Sequence, residues 1–404
     1  MARTRSRSGG PTGATARAAG PIERANLGHT TTGHVPWLSW ARIVAIVGVV
    51  TIHVCSHLTL EWGTVTARQW HFGTFLQAAS RFSVPLFLMV SGAVLLRPRP
   101  GERLRDFYRR RASRVAIPLV VWTCGYLVFD AWTHGRPITP YLFVQGFLWG
   151  KPYYHLYFLY VVAGLYLVTP FLRTFVAAAD RRMVLAATVC LLGLSSLDKI
   201  QHFYMGGGGF NAFSYFVPFL GYYLAGYVVA TTRLPWPRRT VALGAAAVFV
   251  GTTVTVHVGT WWMFGALGVQ HGRILYDYHA PTIVVASIAM AFFLRAVFGD
   301  HDLGTATVPA RPGTAQPDTA RPASSAAGRP WWVTPRVRRY ADLTFGVFLL
   351  HPLPLELLVR RDQPEFASPY VDIAFHLGVI VALVVGCAVV TFVLRQVPVL
   401  RRLV

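Results

Sequence analysis

Long apolar runs alternate along the chain with shorter polar segments. Ten of these runs have about the length at which a helix crosses a bilayer, roughly 20 residues at 1.5 Å per residue. They lie at residues 37–60, 74–96, 115–134, 154–176, 183–198, 213–231, 240–261, 280–299, 342–359 and 371–394. This pattern predicts an all-α polytopic membrane protein with about ten transmembrane helices.

Two polar segments divide the chain. Residues 1–36 are rich in Arg, Gly, Thr and Ala, a composition typical of a disordered basic tail. Residues 300–335 are rich in Ala, Pro, Thr and Arg, a composition typical of a disordered linker. We therefore expect transmembrane helices 1–8 within residues 37–299, and helices 9–10 with a short C-terminal tail within residues 336–404.

The basic residues indicate an orientation. The segments between the predicted spans alternate between the two sides of the membrane. One side holds 29 Lys and Arg, and the other holds 7. The richer side comprises the N-terminal tail, the loops 97–114, 173–182, 232–239 and 295–340, and the C-terminus. By the positive-inside rule, both termini and the linker are predicted to be cytoplasmic. Because the chain is 54% hydrophobic, we attribute its net charge of +22 to the basic cytoplasmic segments of a membrane protein. We expect a multi-pass protein of the cell membrane, with lipids and no nucleic acid among its partners.

All four cysteines fall within predicted spans, at Cys55, Cys124, Cys190 and Cys387. This placement predicts neither a disulfide framework nor a cysteine-based metal site. The sequence also lacks an HExxH motif, a nucleotide-binding fingerprint and a GxSxG elbow. We therefore expect no metal in the site.

The first span carries two ionisable residues on one helical stripe. Arg42 and His53 are eleven residues apart, which is three turns plus roughly 20° and about 16 Å along the axis. Ionisable groups inside a span cost roughly 2.5 to 3.5 kcal/mol, so they usually mark a pathway or a site. In the alternative interpretation, Arg42 extends to the headgroups and His53 is bonded to a neighbouring helix.

The loop between the second and third spans is the most charged part of the chain. It carries eight arginines between Arg97 and Arg114. Arg111 and Arg114 lie at i and i+3 where the third span begins, so they share a face that could hold a polyphosphate bidentately. The alternative is a topogenic segment that binds anionic lipids.

Several further residues are candidates for binding substrate. Arg81 in the second span either pairs with a carboxylate, binds an anionic acceptor or extends outward, and Ser91 lies in the same span. In the ninth span, His351 precedes a proline that should break the helix, and Glu356 follows a turn and a half later. His351 either lines a site or packs in the interior.

The fourth span begins with a dense group of aromatic residues. Most of them are explained by an aromatic belt at an external membrane interface. His155 and Tyr157 are candidates to line an external opening, and Tyr160 lies one turn further along.

These motifs together resemble those of the acyltransferase 3 family of integral membrane acyltransferases. The resemblance rests on Arg42-x10-His53, on Arg111-x-x-Arg114, and on the segments RFSVPLFLMVSGAVLL, HLYFLYVVAGLYLVTP and FGVFLLHP. These motifs cover most of residues 37–394 in the order found in that family, which also has ten spans. The chain resembles the stand-alone form, without a fused soluble domain.

The resemblance implies roles for individual residues. His53 would be the essential base and Arg42 its partner on the same helix, while Arg111 and Arg114 would bind the phosphates of a cytoplasmic acyl-CoA. Acyl-CoA would be a co-substrate, with no tightly bound cofactor. Two positions depart from the family pattern, because Tyr157 stands where a Trp is expected and Phe348 where a Tyr often precedes Leu-x-His-Pro. These departures concern the details of the expected acceptor pocket and do not affect the resemblance to the family.

The expected activity is O-acyl transfer, with acetyl as the expected group, to a hydroxyl of a cell-envelope glycan or a similar acceptor. His53 would act either as a general base or as a transiently acylated nucleophile. Arg81, Tyr160 and Ser91 are candidates to stabilise the oxyanion. The rival hypotheses are a secondary transporter or glycan exporter, which would use the same buried stripe, and a non-catalytic scaffold.

Overall fold

The computed structural model describes residues 35–97, 101–205, 211–268, 272–299, 334–360 and 368–404, which contain helices and turns but no strand. Apart from their last two residues, the predicted basic tail and the predicted linker lie outside the described residues. Their expected disorder therefore stays a prediction.

The helices are numbered here in chain order. They are α1 (Pro36–Val54), α2 (Ser56–Leu60), α3 (Ala67–Ser80), α4 (Ser83–Leu95), α5 (Leu104–Thr133), α6 (Pro140–Trp149), α7 (Tyr157–Ala178), α8 (Arg181–Met205), α9 (Leu220–Thr231), α10 (Arg238–Leu267), α11 (Pro281–Phe298), α12 (Pro335–Leu350), α13 (Pro352–Leu355) and α14 (Pro369–Leu394). Short 3-10 turns lie at Val217–Phe219, Arg273–Tyr276 and Leu400–Arg402, and a π-helical turn lies at Glu356–Arg360.

The prediction of an all-helical membrane protein is confirmed. Within the described residues, eight helical stretches are long and apolar enough to cross a membrane, and α12 with α13 makes a ninth if the bent pair is one span. The sixth predicted run forms only a shorter apolar segment, Val217–Thr231, because residues 212–216 form turns. The fifth predicted run, the shortest in the sequence, is part of the long helix α8.

Three spans are interrupted next to ionisable candidates. One residue separates α1 from α2 just after His53. Arg81 lies between α3 and α4, and Pro85 occupies the first turn of α4, where its missing N–H is tolerated. At His351 the chain bends by 44° before α13. Because freed backbone groups must be satisfied inside a membrane, such breaks face protein or a polar cavity and not lipid.

Helix α1 lies at the centre of the bundle. It packs against α3, α4, α11, α12 and α14, and most of its residues are buried. By contrast, α8 and α10 expose most of their apolar side chains, as expected for helices that face lipid. The packing of this helix therefore places Arg42 and His53 within the bundle, where both side chains are partly buried.

Helices α4 and α9 approach each other closely through two glycines, Gly92 and Gly226. A Cβ atom added to Gly92 would overlap the carbonyl oxygen of Tyr223, and one added to Gly226 would overlap that of Met89. Small residues at helix interfaces in membranes allow such contact. This contact holds α4, and with it Ser91, against the bundle.

Candidate active site

A cavity of about 1240 Å³ lies among α1, α4, α5, α7, α12 and the residues that follow α14. Among the described residues, nine arginines line it, and Asp106 and Asp342 are its only acidic residues. The arginines are Arg42, Arg109, Arg110, Arg111, Arg114, Arg338, Arg395, Arg401 and Arg402. The cavity, called here the arginine cavity, therefore has the strongly positive potential that attracts polyanions.

Helix α5 brings the predicted arginine pair to the cavity. Arg111 and Arg114 both line it, so the expected common surface is present. The guanidinium of Arg111 lies 5.7 Å from the ring centroids of Phe107 and of Tyr166. Contacts of this kind between a cation and aromatic faces help to orient the side chain.

Arg42 lines the same cavity and is paired with Asp342, a residue that no local sequence motif indicates. Its Nη1 lies 3.8 Å from Oδ1 of Asp342 on α12, with 33% and 42% of the two side chains exposed. Nη1 of Arg395 donates to the backbone carbonyl of Asp342 at 2.7 Å. Asp342 therefore connects α1, α12 and the end of α14.

Four further arginines of the cavity, Arg338, Arg395, Arg401 and Arg402, were assigned only a topological role from the sequence. Each is far along the chain from Arg111, and no local motif distinguishes it from other cytoplasmic-type arginines. The indole N–H of Trp122 on α5 donates to the carbonyl of Leu403 at 2.9 Å. This contact holds the C-terminal turn against α5 and so adds its arginines to the cavity.

A second group of residues lies around His53 and is called here the histidine cluster: His53, Tyr154, His155 and His351. The ring centroid of His53 lies 4.6 Å from that of Tyr154 and 5.3 Å from that of His351. His351 lies 5.6 Å from His155. His155 was considered in the sequence only as part of an external opening.

Two phenylalanines join the arginine cavity to the histidine cluster. Phe348 and Phe158 both line the cavity, and their rings lie 5.3 Å apart. The ring centroid of Phe348 also lies 5.2 Å from that of His155 and 6.3 Å from that of His351. His53 itself is not among the residues that line the cavity. The cluster therefore begins directly behind an aromatic wall of the cavity.

The buried histidines of the cluster differ in their hydrogen bonds. His351 is fully buried, and its Nδ1 lies 3.0 Å from the carbonyl oxygen of Val347. As a neutral ring it therefore carries its proton on Nδ1. His155 precedes the span that starts at Tyr157; burial lowers the pKa of His155 well below its usual value, and the imidazoles of His351 and His53 lower it further. Burial therefore favours the neutral form of the His155 imidazole.

A model of the acyltransferase 3 family, described as an acyltransferase domain, matches residues 35–395. The chain belongs to this family. Comparisons with curated proteins and with solved structures give no match. Because the family match covers the histidine cluster and the residues of the arginine cavity up to Arg395, the protein is a membrane acyltransferase, and the secondary-transporter hypothesis is not favoured.

Two further candidate site residues of the acyltransferase, Ser91 and Tyr160, lie near the arginine cavity and the histidine cluster. Ser91 lines the cavity, and its hydroxyl donates to the carbonyl of Phe87 at 3.0 Å. The hydroxyl of Tyr160 is buried and lies 3.3 Å from that of Thr123. Both hydroxyl groups therefore already have partners within the bundle.

The remaining candidates lie in other surroundings. Arg81 donates to Gln77 at 2.6 Å, and its guanidinium lies 5.2 Å and 5.6 Å from the rings of Tyr276 and Tyr278. Tyr157 lies 6.2 Å from the ring of Tyr215. Glu356 begins the π-helical turn beyond the bend at His351. None of the three lines the arginine cavity.

Proposed function

We propose that the acyltransferase moves an acyl group, specifically acetyl, from cytoplasmic acyl-CoA to a hydroxyl of a cell-envelope glycan or a similar acceptor. The aromatic wall supports this proposal best. Phe348 forms one side of a polycationic cavity and at the same time touches the imidazoles beside His53. In this proposal, a phosphorylated donor in the cavity would lie next to the proton-accepting ring.

The arginine cavity suits coenzyme A as the donor. Coenzyme A carries a diphosphate and a 3′-phosphate, and arginine binds phosphate through paired charge-assisted hydrogen bonds. At about 1240 Å³, the cavity is larger than common ligand pockets, which have roughly 300–1,000 Å³. It therefore offers room for a nucleotide together with part of the pantetheine arm. The bias of basic residues toward one set of loops supports donor entry from the cytoplasm.

The histidine cluster suits the acyl-transfer chemistry. The pantetheine arm is as long as roughly half of the ~30 Å hydrocarbon core, so a donor in the cavity can place its thioester beyond Phe348. There His53, as a neutral imidazole, would take the proton of the acceptor hydroxyl. Arg42 lines the cavity and would contact the donor from the same helix.

The surroundings of Arg81 and Tyr157 suit the acceptor. The guanidinium of Arg81 lies close to the rings of Tyr276 and Tyr278, and the ring of Tyr157 lies close to that of Tyr215. Tyrosine rings provide apolar faces together with hydroxyl groups, a combination that suits a sugar. In this proposal His351 and Glu356 contribute to the acceptor path at the bend.

The proposed donor is tested with purified protein and acetyl-CoA. We expect the double variant Arg111→Gln, Arg114→Gln to weaken acetyl-CoA binding about 10- to 100-fold, since hydrogen bonds to charged groups contribute roughly 1.5–3 kcal/mol. Binding is measured by titration calorimetry, and turnover by release of CoA. The matched control is Arg233→Gln, Arg239→Gln, which removes two exposed charges that do not line the cavity. Equal affinity for both double variants would reject the cavity as the donor site.

A further inference from the structure

His155 is a buried polar side chain without a hydrogen-bond partner. It lies in the segment between α6 and α7, and 1% of its surface is exposed. Neither Nδ1 nor Nε2 has a partner within the described part of the chain. Since an unsatisfied buried polar group costs roughly 1–3 kcal/mol, the imidazole of His155 is available to bind a polar group of a substrate.

Aromatic rings surround His155. Ring centroids lie 4.8 Å away for Tyr126, 5.2 Å for Phe348, 5.5 Å for Tyr154, 5.6 Å for His351 and 5.9 Å for Tyr153. These rings hold the imidazole between the wall of the arginine cavity and the other histidines of the cluster. A neutral imidazole carries one N–H in either tautomer, so His155 always has one donor to offer.

We propose that His155 donates its N–H to the carbonyl oxygen of the acyl thioester and stabilises the negative charge that develops there. This inference rests on the proposed function, since it requires a thioester donor that passes Phe348. His155 is then a catalytic residue in addition to His53, with a different task.

In this reaction the acceptor oxygen forms a bond with the thioester carbonyl carbon, and His53 takes the hydroxyl proton. The electron pair of the carbonyl double bond moves to oxygen, where the N–H of His155 binds it. When the double bond forms again, the carbon–sulfur bond breaks, and the thiolate takes the proton from His53. The products are the ester and free CoA, and His155 keeps its proton throughout.

The residues considered for this task from the sequence are less suited to it. The guanidinium of Arg81 is bound to Gln77, and the hydroxyl of Ser91 donates to the carbonyl of Phe87. The hydroxyl of Tyr160 pairs with that of Thr123. His155 is the candidate that lies in the histidine cluster and would lose no hydrogen bond by turning to a substrate.

The test compares His155→Phe, which keeps a ring of similar size, with His155→Gln, which keeps an N–H donor. The assay is hydrolysis of acetyl-CoA at saturating concentration, with water as the acceptor. We expect kcat to fall about 10²- to 10³-fold in His155→Phe, the usual effect of removing one oxyanion donor. We expect His155→Gln to recover part of this loss. The Kd for acetyl-CoA, measured by titration calorimetry, should stay within twofold of wild type in both.

Each result separates this role from the proposed function. If kcat of His155→Phe remains within threefold of wild type, or if affinity for acetyl-CoA falls as much as kcat, the role of His155 is rejected while the donor stands. If the wild-type protein neither binds nor hydrolyses acetyl-CoA, the proposed donor is rejected and the role of His155 with it. A thermal unfolding curve for each variant shows that the compared proteins are folded.

Discussion

The arginine cavity and the histidine cluster share an aromatic wall but have opposite physical character. The cavity is lined by many arginines, several of them exposed, that come from distant parts of the chain. The cluster is made of imidazole and phenol rings in contact, two of them fully buried histidines. One region offers many similar charges, and the other offers a few rings in fixed positions.

This contrast is consistent with what each step of the proposed chemistry requires. Binding a polyphosphate needs summed positive charge, which tolerates water and alternative side-chain positions. Proton transfer needs one group at hydrogen-bond distance from the reacting atom. We therefore expect single substitutions in the cluster to change kcat strongly, and substitutions in the cavity to change donor binding in small, graded steps.

The largest effect is expected for His53→Ala. Loss of a general base lowers kcat by typically 10²- to 10⁴-fold, whereas affinity for acetyl-CoA should be unchanged because His53 does not line the cavity. The measurements are release of CoA at saturating donor and a separate binding titration. His134→Ala is the control, since 58% of that side chain is exposed outside the cluster. Full activity in His53→Ala would remove the cluster from the mechanism.

A smaller effect is expected for the double variant Arg401→Gln, Arg402→Gln. Both residues line the cavity but are exposed, and exposed ionic contacts contribute only roughly 0.2–1 kcal/mol each. We expect the KM for acetyl-CoA to rise about 2- to 10-fold with kcat unchanged, and the difference to shrink in high salt. A change in kcat with an unchanged KM would show that the C-terminal turn does not contact the donor.

The smallest effect, with the opposite sign, is expected for Asp342→Asn. This change removes a carboxylate from a cationic cavity and releases Arg42 from its partner at 3.8 Å. Because the pair is partly exposed, we expect the KM for acetyl-CoA to fall by only about twofold. KM is measured at low ionic strength, where screening is weakest. A rise in KM would mean that Asp342 is needed to position Arg42.

Much of the candidate site could be predicted from local sequence. Arg42 and His53 were placed on one helix by their spacing, and Arg111 with Arg114 on one face by theirs. The break at His351 followed from the adjacent proline. No local signal in the sequence places Arg81 next to Tyr276 and Tyr278, or Tyr157 next to Tyr215. The members of each of these pairs are more than 50 positions apart in the chain.

The sequence by itself determined the membrane class, most of the spans and the positions of the charged motifs along them, because these depend on hydropathy and helical period within one segment. Only the tertiary structure decided that the C-terminal arginines join Arg111 at one cavity, and that Phe348 forms a wall between this cavity and the imidazoles. It also left His155 buried, with no hydrogen-bond partner among the residues that the structure describes. These features arise from packing between helices that are distant in the chain, and no local periodicity records that packing.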